Sequence, residues 1–179
     1  MTKKLLSAFI LLISIQTFAQ EQPRLLLGGD IQLSGEGVFE EVSYYGSVSI
    51  SAGYFVTKGW LFGMEGSVSI SPVSRYYEAV PIVRYHLHLT ERDVLYVGAR
   101  GGYGWGSDLS IISADKKHRF AWLWGARTGY LNRVTENVGI DIFAFYNSRH
   151  SSSQKQDGFF TEPSVTTVFG LGIGLQVWL

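Results

Sequence analysis

The sequence predicts an all-β protein, an eight-stranded antiparallel up-and-down transmembrane β-barrel. Eight segments alternate apolar and polar residues with the period of two that marks a β-strand. Apart from Arg75 and Glu136, each at the first position of its segment, one parity of each segment carries no charge, and every lysine after residue 19 lies outside these segments. Because a surface that faces water is normally rich in lysine and glutamate, we expect the polar parity to be enclosed and the apolar parity to face lipid.

Residues 1–19 have the layout of a cleaved secretory signal peptide. Lys3 and Lys4 precede an apolar run over 5–15, and Thr17-Phe18-Ala19 supplies small residues at the cleavage positions. The run is too short to cross a bilayer as a helix. We therefore expect export and trimming, which leaves residues 20–179 as the barrel domain.

Composition removes several classes of function. The chain has 15 basic and 15 acidic residues, so no basic excess indicates nucleic-acid binding. It has no cysteine, which excludes a disulfide framework, a thiolate nucleophile and a cysteine-ligated metal.

The strands are predicted in an order that fits a meander. Their spans are 24–36, 43–55, 60–72, 75–89, 94–106, 118–131, 136–147 and 166–179. Connections after the second, fourth and sixth strands are short. Of the others, those at 107–117 and 148–165 are long and polar, the one at 37–42 is intermediate and the one at 72–74 is brief. Short turns at one end and longer loops at the other are typical of outer-membrane barrels.

Aromatic residues are predicted to form two belts on the apolar face, one at each membrane interface. The belt near the short turns holds Tyr54, Trp60 and Tyr130, and the belt near the long loops holds Tyr44, Tyr103, Trp105, Trp122 and Tyr146.

The polar parity places ionisable residues in the predicted lumen. We assign three arginines and three acids of this parity to one network and expect them to pair, because an unpaired buried charge costs several kcal/mol. This luminal charge network consists of Asp30, Glu65, Arg84, Arg100, Arg127 and Asp141. Since eight strands enclose a space that side chains fill, the network favours a plugged or very narrow lumen over an ion path.

Two further luminal features are assigned structural roles. His86 and His88 share the polar parity, but only Glu78 is a nearby third ligand, so we predict hydrogen-bonding histidines and neither metal nor cofactor. In the last strand every odd residue from Phe169 to Leu179 is apolar, with glycines between them. We expect those glycines to leave room in the lumen for bulky side chains from other strands.

The signal peptide, the eight alternating strands, PIVRYHL at 81–87, LYVGARGGYGWG at 95–106 and the apolar last strand together resemble the small eight-stranded outer-membrane barrels of the OmpA/OmpX-like family. The resemblance implies an outer-membrane protein surrounded by membrane lipid and lipopolysaccharide. It also implies that the barrel-assembly machinery reads the C-terminal strand 166–179, which in the family usually ends in Phe or Trp and here ends in Trp178-Leu179. The implied role is non-enzymatic, in envelope integrity or in surface contact through loops whose ligand is unknown.

Two other functions stay open at this stage. A soluble periplasmic or secreted lipocalin-like barrel would turn the apolar parity inward around a small apolar ligand. An outer-membrane lipid-modifying acyl hydrolase or transferase would use a histidine, a serine and an acid, for which the last long loop offers His150, Ser152 and Glu162.

Overall fold

The computed structural model describes residues 25–38, 41–70, 74–108, 118–151, 155–156, 159–160 and 164–179. The predicted signal peptide lies outside these ranges. The described strands are β1 (Leu25–Val38), β2 (Glu41–Phe55), β3 (Trp60–Ile70), β4 (Ser74–His88), β5 (Asp93–Asp108), β6 (His118–Arg133), β7 (Val138–Ser151), β8 (Lys155–Gln156), β9 (Phe159–Phe160) and β10 (Ser164–Trp178).

Eight of these strands form one closed antiparallel barrel, which confirms the predicted fold class. From β1 to β7 each strand pairs with the next along the chain, and β10 closes the barrel by pairing with β7 and β1. At the closing seam Ile31 lies opposite Ile173 and Leu33 opposite Leu171. The two short strands β8 and β9 pair with each other as a separate two-stranded sheet. No helix within the described ranges is long and apolar enough to cross a membrane.

The strand bounds agree with the predicted ones to within two residues except at the end of β7. This strand continues to Ser151 because it pairs with β6 on one side and with β10 on the other. Arg149 and His150, which the sequence placed in a loop, therefore lie on a strand.

The two faces of the barrel differ as the alternation predicts. Outward residues such as Leu33 and Ile50 are 73% and 71% exposed, whereas the inward Glu65 is 2% exposed. A lipocalin-like barrel needs the opposite arrangement, with the apolar parity inside.

The glycines of β10 make room for large side chains, as expected. A Cβ on Gly172 would strike the ring of Phe143, and one on Gly170 would lie 2.9 Å from Cζ of Phe145. Phe143 and Phe145 are buried, so the interior contains apolar side chains as well as charges. Much of the remaining apolar interior is one cluster: Leu26, Leu61, Val80, Ile82, Val94, Leu123, Leu131 and Trp178.

We call the end that holds the connections 56–59, 89–92 and 134–137 the short-turn end, and the opposite end the long-loop end. In the first of these turns Gly59 has a φ of 87°, which favours glycine because side chains with a Cβ rarely adopt it.

Candidate functional site: the luminal charge network

Glu65 on β3 is the central acid of the lumen. Its carboxylate lies 3.3 Å from Arg84 Nη2, 3.0 Å from Arg100 Nη1 and 3.4 Å from Arg127 Nη2. These arginines come from β4, β5 and β6, so one carboxylate connects four strands. Its side chain is 1% exposed, which makes these ion pairs weakly screened by solvent.

Glycines at register positions beside the arginines give the guanidinium groups their space. Gly98 on β5 lies opposite Arg84 on one side and Arg127 on the other. A Cβ at Gly98 would lie 2.9 Å from Arg84 Cγ, closer than real side chains allow. Gly125 lies opposite Arg100 in the same way. The small residues of the polar parity thus accommodate its largest cations.

Glu78 on β4 is a second ionic centre, nearer the long-loop end. It pairs with Arg100 and with Arg149, whose Nη2 lies 2.8 Å and whose Nε lies 3.0 Å from Oε1. Ser67 donates a hydrogen bond of 2.9 Å to Oε2. The sequence put Glu78 on the polar parity but outside the predicted network. Arg149 was missed because its strand was ended too early, although it shares the parity of Asp141.

Asp30 on β1 completes the ionic chain. Its Oδ2 lies 2.9 Å from Arg127 Nη1, and Gln32 donates a hydrogen bond of 2.7 Å to Oδ1. Asp30, Arg127, Glu65, Arg100, Glu78 and Arg149 therefore form one continuous series of ion pairs from β1 to β7.

Asp141 lies in the lumen but differs from the expected pairing. Its Oδ2 accepts a 2.9 Å hydrogen bond from the Tyr96 hydroxyl and a 3.2 Å bond from Gln176 Nε2. Within the described part of the chain Asp141 makes no ion pair. Glu78 is instead the third acid that pairs with the luminal arginines. Arg84, Arg100, Arg127 and Arg149 balance Asp30, Glu65, Glu78 and Asp141 in formal charge.

Aromatic rings cover several of the luminal guanidinium groups. Cζ of Arg127 lies 4.0 Å from the ring centroid of Phe143, and Cζ of Arg149 lies 4.5 Å from that of Tyr76. Cation–π contacts of this kind are stronger when desolvated, so the rings support the charges while filling the space around them.

The remaining predicted residues are the aromatic residues of the outer face and the luminal histidine near the short-turn end. Tyr54, Trp60 and Tyr130 are at the short-turn end, and Tyr103, Trp105, Trp122 and Tyr146 are towards the long-loop end. The side chain of Tyr44 lies outside the described residues. His86 is buried with its ring centroid 5.2 Å from that of Phe55, and no group of three potential metal ligands occurs in the described ranges.

The predicted catalytic trio is only partly visible. The His150 ring stacks on Trp122 with centroids 4.1 Å apart, and its Nε2 lies 3.0 Å from Ser148 Oγ. Ser152 and Glu162 lie outside the described residues, so the trio stays a prediction.

Solved structures of other proteins share the fold of this chain but have low sequence identity to it. Neisserial surface protein A matches with a TM-score of 0.69 and 18% identity, over 87% of this chain and 97% of that one. The chain has the fold of the small outer-membrane β-barrels. Ail of Yersinia pestis, in complex with the heparin analogue sucrose octasulfate, matches with a TM-score of 0.51 and 17% identity over 87% and 99% of the chains.

A further barrel extends the likeness. OprG, an outer membrane protein of Pseudomonas aeruginosa, matches with a TM-score of 0.51 and 10% identity over 88% and 98% of the chains. No family model and no curated protein matches the chain in sequence.

Proposed function

We propose that residues 20–179 form an integral outer-membrane protein with a non-enzymatic role in the envelope. The observation that carries this proposal is the opposition of the two faces. Large apolar side chains are exposed on all eight barrel strands, while the ion pairs lie inside. An apolar surface of this extent indicates a membrane environment, because soluble monomers rarely expose large contiguous apolar patches.

Strand length supports the same proposal. The barrel strands have 11 to 16 residues, and a tilted strand needs about 9–11 residues to cross the hydrocarbon. The short-turn end would then face the periplasm and the long-loop end the outside. Export through the predicted signal peptide 1–19 is part of this proposal.

The lumen is proposed to be plugged by its own side chains. The series of ion pairs connects strands across the barrel, and the apolar cluster fills space around it. Near the short-turn end the Trp178 ring is buried and lies 4.6 Å from Arg133 Cζ. A barrel of eight strands has an interior just wide enough for such side chains.

The proposed partners follow from this location. Membrane lipid and lipopolysaccharide would surround the outward aromatic residues, and the barrel-assembly machinery would read residues 166–179. The outward residues of that strand include Phe169, Leu171 and Ile173, all strongly exposed. The loops at the long-loop end would contact a surface ligand of unknown chemistry.

Cell fractionation tests the location, and electrophoresis tests the closed barrel. We expect the protein in the outer-membrane fraction and faster migration in SDS without boiling, because a closed barrel resists the detergent. Recovery in the soluble periplasm without a heat-dependent shift would refute the proposal.

Planar-bilayer recording tests the plug separately. The purified protein should insert without producing a sustained conductance. A stable open channel from correctly folded protein would contradict the plug while leaving the membrane location intact.

A further inference from the structure

The three short turns repeat one pattern that the strand alternation does not explain. Each begins with an aliphatic residue followed by threonine and a charged residue: Val56-Thr57-Lys58, Leu89-Thr90-Glu91 and Val134-Thr135-Glu136. In all three turns the aliphatic residue comes directly after the last residue of the preceding strand, which is Phe55, His88 or Arg133.

The backbone of the three turns is also alike. The amide of the aliphatic residue donates to the carbonyl of the residue four positions later, at 3.0 Å for Val56, 2.8 Å for Leu89 and 2.9 Å for Val134. The hydroxyl of Thr90 accepts bonds from the amides of Arg92 and Asp93, and that of Thr135 accepts the equivalent pair. The backbone bond places the aliphatic residue at the same position in each of the three turns.

All three aliphatic side chains continue the outward parity of their strands. Val56 follows Tyr54 by two residues and Val134 follows Tyr130 by four, on the same face. They are 54%, 54% and 57% exposed in chain order, although they belong to turns where polar residues are usual. The aliphatic surface therefore extends past the aromatic residues, by about 5 Å at Val56 for a tilted strand.

Leu179 occupies the fourth junction of the same end. It is 61% exposed and exchanges two backbone hydrogen bonds with Leu25 where β10 meets β1. Val56, Leu89, Val134 and Leu179 thus lie at every second strand junction around the barrel.

We infer that these four side chains form an apolar collar that docks the short-turn end into the phospholipid interface of the periplasmic leaflet. The inference rests on the proposed membrane location and adds a surface of defined chemistry to it. Anchors spaced around a whole barrel meet a planar medium together, whereas a protein bound on one side would reach only some of them. The charged residues after Thr57, Thr90 and Thr135 would lie in the headgroup region.

A single probe can measure the depth of this end, because the chain contains no cysteine. Glu91→Cys, at an exposed turn position, would carry an environment-sensitive dye on protein folded into phospholipid vesicles. Lipids with a quencher near the headgroup, and lipids with one deep in the acyl chains, report the depth of the dye.

We expect the triple variant Val56→Ser, Leu89→Ser and Val134→Ser to lose quenching by the headgroup-proximal lipid, because the turns then move into water. The matched control is Leu33→Ser, Ile70→Ser and Val165→Ser, three exposed aliphatic residues near the long-loop end. This control should retain that quenching. If the triple turn variant does not insert, Leu89→Ser alone supplies the comparison with a smaller loss.

The outcomes separate the two proposals. Unchanged quenching in turn variants that insert normally would overturn the collar while the membrane barrel stands. Failure of the labelled parent protein to insert would overturn the membrane location and the collar with it.

Discussion

Neutralising Glu65 removes the acid on which the luminal ion pairs converge. In Glu65→Gln, Arg100 keeps its contact with Glu78 and Arg127 keeps its contact with Asp30. Arg84 loses the one ion pair recorded for it among the described residues. The main cost is therefore one uncompensated guanidinium, and breaking a buried pair from one side costs about 3–5 kcal/mol. With two of the three arginines still paired, we expect about 3 kcal/mol of lost unfolding free energy.

Urea unfolding of the protein in lipid vesicles, followed by the heat-dependent gel shift, measures this loss. The double variant Glu65→Gln with Arg84→Met should be more stable than Glu65→Gln alone, because it removes the stranded charge. Glu91→Gln, in an exposed turn, serves as the control and should change stability little. A loss below about 1 kcal/mol in Glu65→Gln would refute the view that this carboxylate holds the network together.

Three other substitutions test separate features. Gly172→Ala should destabilise the barrel by about 1–3 kcal/mol because its Cβ would strike Phe143. The control Gly46→Ala, whose Cβ meets nothing within 4 Å, should be nearly neutral in the same urea titration. Equal effects of the two substitutions would contradict the steric explanation. Thr90→Val should cost about 0.5–1.5 kcal/mol by removing the hydroxyl that accepts two turn amides, and an unchanged unfolding midpoint would show that the bonds contribute nothing. His150→Ala should leave lipid A acylation unchanged by mass spectrometry when the protein is expressed, while loss of a modification present with the parent protein would favour the enzymatic alternative.

The parity of each strand was predictable from sequence because it depends only on the alternation of neighbouring side chains. The same local rule found the glycines of β10, and the structure shows Gly172 facing Phe143. Strand existence and face are therefore local properties in this barrel. The end of β7 could not be predicted from local alternation, because residues up to Ser151 are held in the sheet by pairing with β6 and β10.

The ionic partners were less predictable for a geometric reason. Glu65 lies opposite Val80 in the sheet register, yet its three arginines reach it from β4, β5 and β6. The contacts from Arg100 and Arg127 join strands that are not neighbours of β3, and all three contacts depend on the stagger of strands around the whole barrel. Counting charges on the polar parity could show that pairing was possible, but it could not choose between Asp141 and Glu78.

The proposed plug of the lumen and the stability of the barrel would depend on the same residues. The arginines fit because glycines such as Gly98 lie beside them, and their positive charges are acceptable because Glu65 and Glu78 lie within reach. Any rearrangement that widened the lumen would have to separate several of these ion pairs at once. Each separation would leave buried charges uncompensated, and the free-energy costs would add up. We therefore expect substitutions that open the lumen also to lower the unfolding free energy, which links the proposed plug directly to the physical basis of the fold.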